Sequence, residues 1–211
     1  MKATKIYEMP ALTPAQMEQV ADELSHGAVA VFATDTVYGL GTGAFCESAV
    51  QEIYRLKNRP TQQPLQLLVA DMEQAQYVGQ FSPQAKRLAQ AYWPGGITLI
   101  VPPSEAGEPL LRQATGLGLR VPALAALQHI LRKMTMPLAS TSANVHGQPV
   151  LTRAEEVVDS FTGQVDLILT QGTLTPTASS VVDCTQDPLQ VVREGSISTQ
   201  NIMRTAGTVR R

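Results

Sequence analysis

The chain has 211 residues, 44% of them hydrophobic, enough to bury a full core as one domain without disulfide or metal staples. Sixteen Lys and Arg against eighteen Asp and Glu leave a formal net charge of −2, which excludes a global field that recruits nucleic acid, so anionic ligands must be met by a local group of cations. Cys46 and Cys184 exclude a disulfide framework and lack metal-ligand spacing, and the polar start and absence of a long apolar stretch exclude a signal peptide and a membrane span, so the chain reads as cytoplasmic.

Thr13-Pro14-Ala15-Gln16 is a capping box with proline at the first helical position, and Met17, Val20, Ala21 and Leu24 give the helix it opens an apolar face that Gly27 stops. Ala28 to Gly43, AVAVFATDTVYGLGTG, reads as a buried strand ending at Thr34-Asp35-Thr36, then a loop whose glycines, Gly39, Gly41 and Gly43, let the backbone approach a ligand. Ligands of open α/β sheets bind at the carboxyl ends of such strands. Ser48 to Gln51 reads as a second capping box, opening a helix that ends at Lys57-Asn58-Arg59 before Pro60.

Leu65 to Ala70 reads as a strand, with helices starting at Asp71 and at Ser82-Pro83, the second ending near Trp93-Pro94-Gly95-Gly96. Ile97 to Val101 is a further strand, Pro102 to Glu108 a polar loop, and Leu117 to Val121 a strand with Arg120 near its end. Ala123 to Lys133 is an apolar helix, and Pro137 to Ala139 a short strand that runs into Ser140-Thr141-Ser142-Ala143-Asn144. Thr152 to Glu155 caps a helix to Phe161. Leu167 to Thr170, Ser180 to Asp183 and Leu189 to Arg193 are three more strands, and Ile202 to Arg211 reads as a polar, mobile tail. Interleaved strands and helices without a linker or repeat predict one α/β domain, a twisted mixed sheet with flanking helices.

Four polar segments stand out: Thr34-Asp35-Thr36, Lys57-x-Arg59, Ser140 to Asn144, and Arg193. Each alone has an ordinary explanation, a helix-end cation or a turn. No GxxxxGK[ST] phosphate loop and no dinucleotide GxGxxG after a strand is present.

Taken together, TDTVYGLG, KNRP, PLQLLV, WPGGIT, LRVP, STSAN followed by HG, SSVVD and VREGSI resemble, in this order, the YrdC-like family of threonylcarbamoyl-AMP synthases, over roughly Ala28 to Ile197. The resemblance implies an α/β twist around a large open concave cavity, and an enzyme that joins L-threonine, bicarbonate and ATP. The threonine amine takes up CO2 as a carbamate, whose oxygen attacks the ATP α-phosphate and expels pyrophosphate; the adenylate product feeds the t6A modification of tRNAs that read ANN codons. By motif, Lys57 and Arg59 would contact the ATP phosphates without packing, with Ser142, Asn144 and Arg193 holding the nucleotide. Thr34, Arg120, Ser140 and Ser180 would hold threonine, with Arg120 on its carboxylate. Asp35 would order its loop, Tyr38 would pack in the core, and Mg2+ would travel on the triphosphate rather than in a metal site of the protein.

The resemblance also implies tRNA threonylcarbamoyl transferase proteins as separate partners, because the carboxyl-terminal domain of longer relatives is absent from this sequence. Several positions depart from the family pattern. Ala33 stands for proline, Gln63 for lysine, WPGG for WPGP, and His146 for serine, and ALAAL after RVP replaces a polar Asp-His beside threonine. Two rivals remain. One is a module that binds double-stranded RNA or tRNA without turnover, aided by a patch at Arg210 and Arg211; the other is a carbamoyl-adenylate enzyme with another substrate.

Overall fold

The computed structural model describes residues 2–112, 114–144, 147–175 and 177–207. The elements follow in chain order as β1 (Lys5–Glu8), α1 (Pro14–Ser25), β2 (Ala30–Phe32), β3 (Gly39–Gly43), α2 (Glu47–Lys57), β4 (Gln66–Leu68), α3 (Met72–Val78), α4 (Pro83–Tyr92) and β5 (Ile97–Val101). Then come α5 (Glu108–Leu111), β6 (Leu117–Arg120), α6 (Ala125–Lys133), β7 (Leu138–Ser142), α7 (Ala154–Phe161), β8 (Leu167–Thr170), β9 (Ser180–Asp183), β10 (Gln190–Arg193) and α8 (Thr199–Ala206). One mixed ten-stranded sheet runs β1-β8-β2-β3-β7-β4-β6-β5-β9-β10, so sequence neighbours are often distant in the sheet.

Strand alternation decides what each face carries. In the central strands Leu67, Leu99, Leu119, Ala139 and Val182 point to one face, into a core shared with α3, α4 and α8. Their alternates, Gln66, Thr98, Gly118, Arg120, Ser140 and Ser142, point to the other, where the sheet is left concave and polar. A second apolar core, around β2, β8, α1, α6 and α7, closes the sheet beyond it.

Three expectations are corrected. The glycine run is not a ligand loop: Gly39 to Gly43 is a buried strand, antiparallel to both β2 and β7. Gly39 and Gly41 make room for the Phe32 ring, from which a Cβ would fall 2.8 and 3.0 Å, and Gly41 also lets the Ala139 carbonyl oxygen of β7 approach, 2.6 Å from such a Cβ. Glycine is depleted in strands, so composition alone points to a loop. The expected Ser48 capping box is absent too, because α2 begins after Cys46, which makes no side-chain cap bond.

The expected mobile tail is a helix up to Ala206. Ser198 caps α8, Ile202 and Ala206 are buried, and Tyr92 Oη lies 2.8 Å from Thr205 Oγ1. Ile202 and Ala206 are four residues apart, which sets both on one helical face despite polar neighbours. Arg210 and Arg211 lie outside the described residues, as does His146. The polar amino terminus adds β1, an edge strand that composition did not flag, parallel to β8.

Candidate functional site

A cavity of about 390 Å3 opens on the concave face. Of the nine residues singled out from the sequence, Arg59, Arg120, Ser140, Ser142 and Arg193 line it. Lys57, Asn144, Thr34 and Ser180 stand behind the lining, their polar atoms turned to other partners.

The cations reach the cavity by different routes. Asn58, in the left-handed conformation at φ 50°, ends α2 and turns the chain so that Lys57 points inward while Arg59 comes round to the cavity. Arg59 is half-buried, with a long bond to the Gln63 carbonyl (3.4 Å) and an ordinary one to the Pro64 carbonyl (3.1 Å). Lys57 is 2% exposed and donates to Asn144 O (2.7 Å), Asn144 Oδ1 (3.0 Å) and the Ser142 carbonyl. The expectation that Lys57 does not pack is therefore corrected: the end of a helix places it inside, where strand exit carbonyls need donors. Ser142 Oγ donates in turn to Asn144 Oδ1, and Asn144 Nδ2 to Gln148 O, so the paired Lys-x-Arg and Ser-x-Asn motifs meet in one cluster. Burial, then the charge on Arg59, pushes the Lys57 ammonium down to about 8.

Arg120 is held from three sides. Its Nη2 donates to Asp35 Oδ1 (2.7 Å), Nη1 to Thr36 Oγ1 (3.0 Å) and Nε to the Gly95 carbonyl (2.9 Å). Burial draws its pKa below the usual guanidinium range, against the pull of Asp35. Asp35 thus orients the guanidinium and ties its own segment to β6. Arg193 Nε and Nη2 rest on the Ser179 carbonyl at 3.0 and 2.8 Å.

Two hydroxyls are committed to backbone. Thr34 Oγ1 donates to Val37 O (2.6 Å) and accepts from the Thr36 and Val37 amides, closing an ST-turn. Ser180 Oγ donates to Ile197 O and accepts from the Gly195 and Ile197 amides, which fixes the loop after Arg193. Thr36 and Ser179, their neighbours, line the cavity instead, together with Gln66 and Thr98. Thr36 lies in a segment the sequence had singled out, though without a role of its own; sequence reasoning missed Gln66, Thr98 and Ser179. Gln66 pairs in register with Ser140 across β4 and β7, a contact 74 positions apart in the chain that no local pattern reveals. Tyr38 is fully buried and donates to Gly172 O, a core role. Among the described residues, no three His, Cys, Asp or Glu side chains gather as a metal site requires.

The family model Sua5_yciO_yrdC, described as "Telomere recombination", matches residues 22–195. The chain belongs to the Sua5/YciO/YrdC family. It is similar to the threonylcarbamoyl-AMP synthase of Pyrococcus abyssi, 34% identical over 89% of this chain and 56% of that protein. The crystal structure of P. abyssi Sua5 complexed with L-threonine superposes with a TM-score of 0.86 at 29% identity, covering 100% of this chain and 62% of that one. E. coli YciO superposes with a TM-score of 0.85 at 27% identity, over 96% of this chain and 100% of that one. This Sua5/YciO/YrdC chain therefore spans little more than half the length of the P. abyssi synthase, while 96% of it covers the whole of YciO.

Proposed function

We propose that the chain is an L-threonylcarbamoyladenylate synthase, a nucleotidyltransferase that makes threonylcarbamoyl-AMP and pyrophosphate from L-threonine, bicarbonate or CO2, and ATP. The observation that carries this reading is the convergence of Arg59, Arg120 and Arg193 on one cavity. All three substrates bring anionic groups, and adenylyl transfer asks of the protein mainly alignment and charge neutralisation. The naming of relatives as synthases, one of them solved with L-threonine, supports the same reading.

In this reading Arg120, held planar by Asp35, Thr36 and Gly95, meets the threonine carboxylate, with Ser140 beside it. Arg59 and Arg193 take the triphosphate. Lys57 acts through Ser142 and Asn144, whose loop it braces against the nucleotide, and Thr34 and Ser180 act by setting the turns that carry Thr36 and Arg193. The carbamate formed on the threonine amine attacks the α-phosphorus, the bond to the β-phosphate oxygen breaks, and pyrophosphate leaves. Magnesium would enter on the triphosphate; among the described residues no three His, Cys, Asp or Glu side chains gather to hold a resident ion. The product would pass to tRNA through transferase proteins, in the cytoplasm; among the described residues no helix is long and apolar enough to cross a membrane.

Pyrophosphate release that requires both threonine and bicarbonate is the expected result with Mg-ATP. RNA binding in a salt-titrated gel shift, with no such turnover, overturns the reading.

Lys57 adds a pH dependence. Its folded pKa of about 8 lies below the usual 10.5, so below about pH 8 both folded and unfolded chains carry the proton. Between the two values only the unfolded chain does, and the contribution of this group to stability rises with pH. Its hold on Asn144 falls over the same window. ATP-analogue affinity measured by calorimetry should be flat below about pH 7 and decline by at most tenfold per unit above about pH 8. A decline unaccompanied by unfolding points to the Lys57 proton; flat affinity to about pH 10 counts against it.

A further inference from the structure

One carboxamide in the cavity wall has no hydrogen-bond partner among the described residues. Gln66 makes no side-chain hydrogen bond to the described residues, and its Nε2 is sealed from solvent with no acceptor. Buried donors are rarely left unpaired, and half a turn of the carboxamide about its last bond brings this one from its sealed position to the cavity that Gln66 lines, where a ligand can meet it. On one side Gln66 faces Ser140, its register partner, which also makes no side-chain hydrogen bond among the described residues. On the other, the parallel register Leu67↔Leu119 carried back one residue sets Gly118 beside it. All three line the cavity.

We infer that Gln66 reads the side-chain hydroxyl of the bound amino acid and so sets the preference for threonine over valine, which has the same shape. This rests on the synthase reading of the cavity. The anionic groups of the substrates already have Arg59, Arg120 and Arg193. A hydroxyl both donates and accepts, and so does a carboxamide, whose two ends have the same shape; rotation about its last bond presents whichever the hydroxyl needs.

The position fits as well. Leu68 pairs with Arg120, so Gln66 and Arg120 lie two residues apart along adjacent strands and point to one face. Strand spacing and rise put their Cα atoms about 8 Å apart, a gap that an amino acid with its carboxylate on Arg120 bridges with its β-substituent. Gly118, lacking a side chain, leaves room there for the methyl group.

Calorimetric titration of the wild-type chain and Gln66→Met with threonine and with valine tests this, beside threonine-dependent pyrophosphate release. Methionine keeps the length of the side chain and removes both polar ends. The variant should melt no lower than wild type, because it deletes an unpaired donor. Its threonine affinity should fall about tenfold while its valine affinity holds or improves, collapsing the discrimination between them. An equal loss for both amino acids, or unchanged threonine affinity, overturns the assignment while wild-type turnover keeps the synthase reading. A wild-type chain that neither binds threonine nor releases pyrophosphate overturns both.

Discussion

Arg120→Met is expected to abolish threonine-dependent pyrophosphate release, a loss of about a thousandfold or more, and to lower the unfolding free energy by about 3–5 kcal/mol. The two effects have separate causes. The Arg120 side chain is 4% exposed and that of Asp35 18%, so removing the guanidinium leaves a largely buried carboxylate without its partner, and the Thr36 hydroxyl and Gly95 carbonyl each lose a donor. A buried pair adds little net stability when intact, yet breaking it from one side is costly because the remaining charge is stranded. Asp35→Asn in the same chain relieves that charge. The double variant should recover at least half of the lost stability, by denaturant titration, and none of the turnover, since the carboxylate-binding group is still missing. Recovery of turnover in the double variant would sink the assignment of Arg120 to threonine. Failure to recover stability would mean that the lost packing of the arginine stem, rather than stranded charge, dominates.

What could be read in the sequence was the part held by local interactions. The Thr13-Gln16 capping box forms as the spacing predicts, because both partners lie within one turn. Asp71 and Ser82 cap α3 and α4 for the same reason. The single mixed sheet with flanking helices followed from the order of strands and helices. Strand β3 did not, since its glycines answer to the Phe32 ring, a contact that exists only once β2 and β3 pair. Edge strand β1, exposed along most of its length, carries no alternation to detect.

The candidate site divides along the same line. Its cations were named from motifs, but their partners lie far off in the chain: Lys57 with Ser142 and Asn144, 85 and 87 residues away, and Arg120 with Asp35, 85 away. Only the folded sheet brings these together, and only it shows that Thr34 and Ser180 spend their hydroxyls on backbone while Thr36 and Ser179 face the cavity.

Lys57→Ala and Arg59→Ala should therefore part company. Both are expected to cut pyrophosphate release by about a hundredfold or more, Arg59→Ala through lost charge at the triphosphate and Lys57→Ala through the loop it braces. Their stabilities should differ. Arg59 is half-buried and, among the described residues, makes two hydrogen bonds, both to carbonyls and one of them long, so its loss should stay within about 0.5 kcal/mol. Lys57, itself 2% exposed, supplies donors to the Ser142 and Asn144 carbonyls and to Asn144 Oδ1. Removing it strands those acceptors and empties the space of its stem, at a cost of about 2–4 kcal/mol, or a melting temperature lower by roughly 4–16 °C. Thermal denaturation beside kcat/KM for ATP separates the two roles. If Lys57→Ala melts with wild type yet loses turnover, the ammonium acts on phosphate directly and the bracing role is wrong. If Arg59→Ala turns over normally, the triphosphate lies elsewhere in the cavity. The pairing of Lys-x-Arg with Ser-x-Asn then has a physical reason: one basic residue holds the other motif in place, and its neighbour, turned by Asn58, faces the ligand.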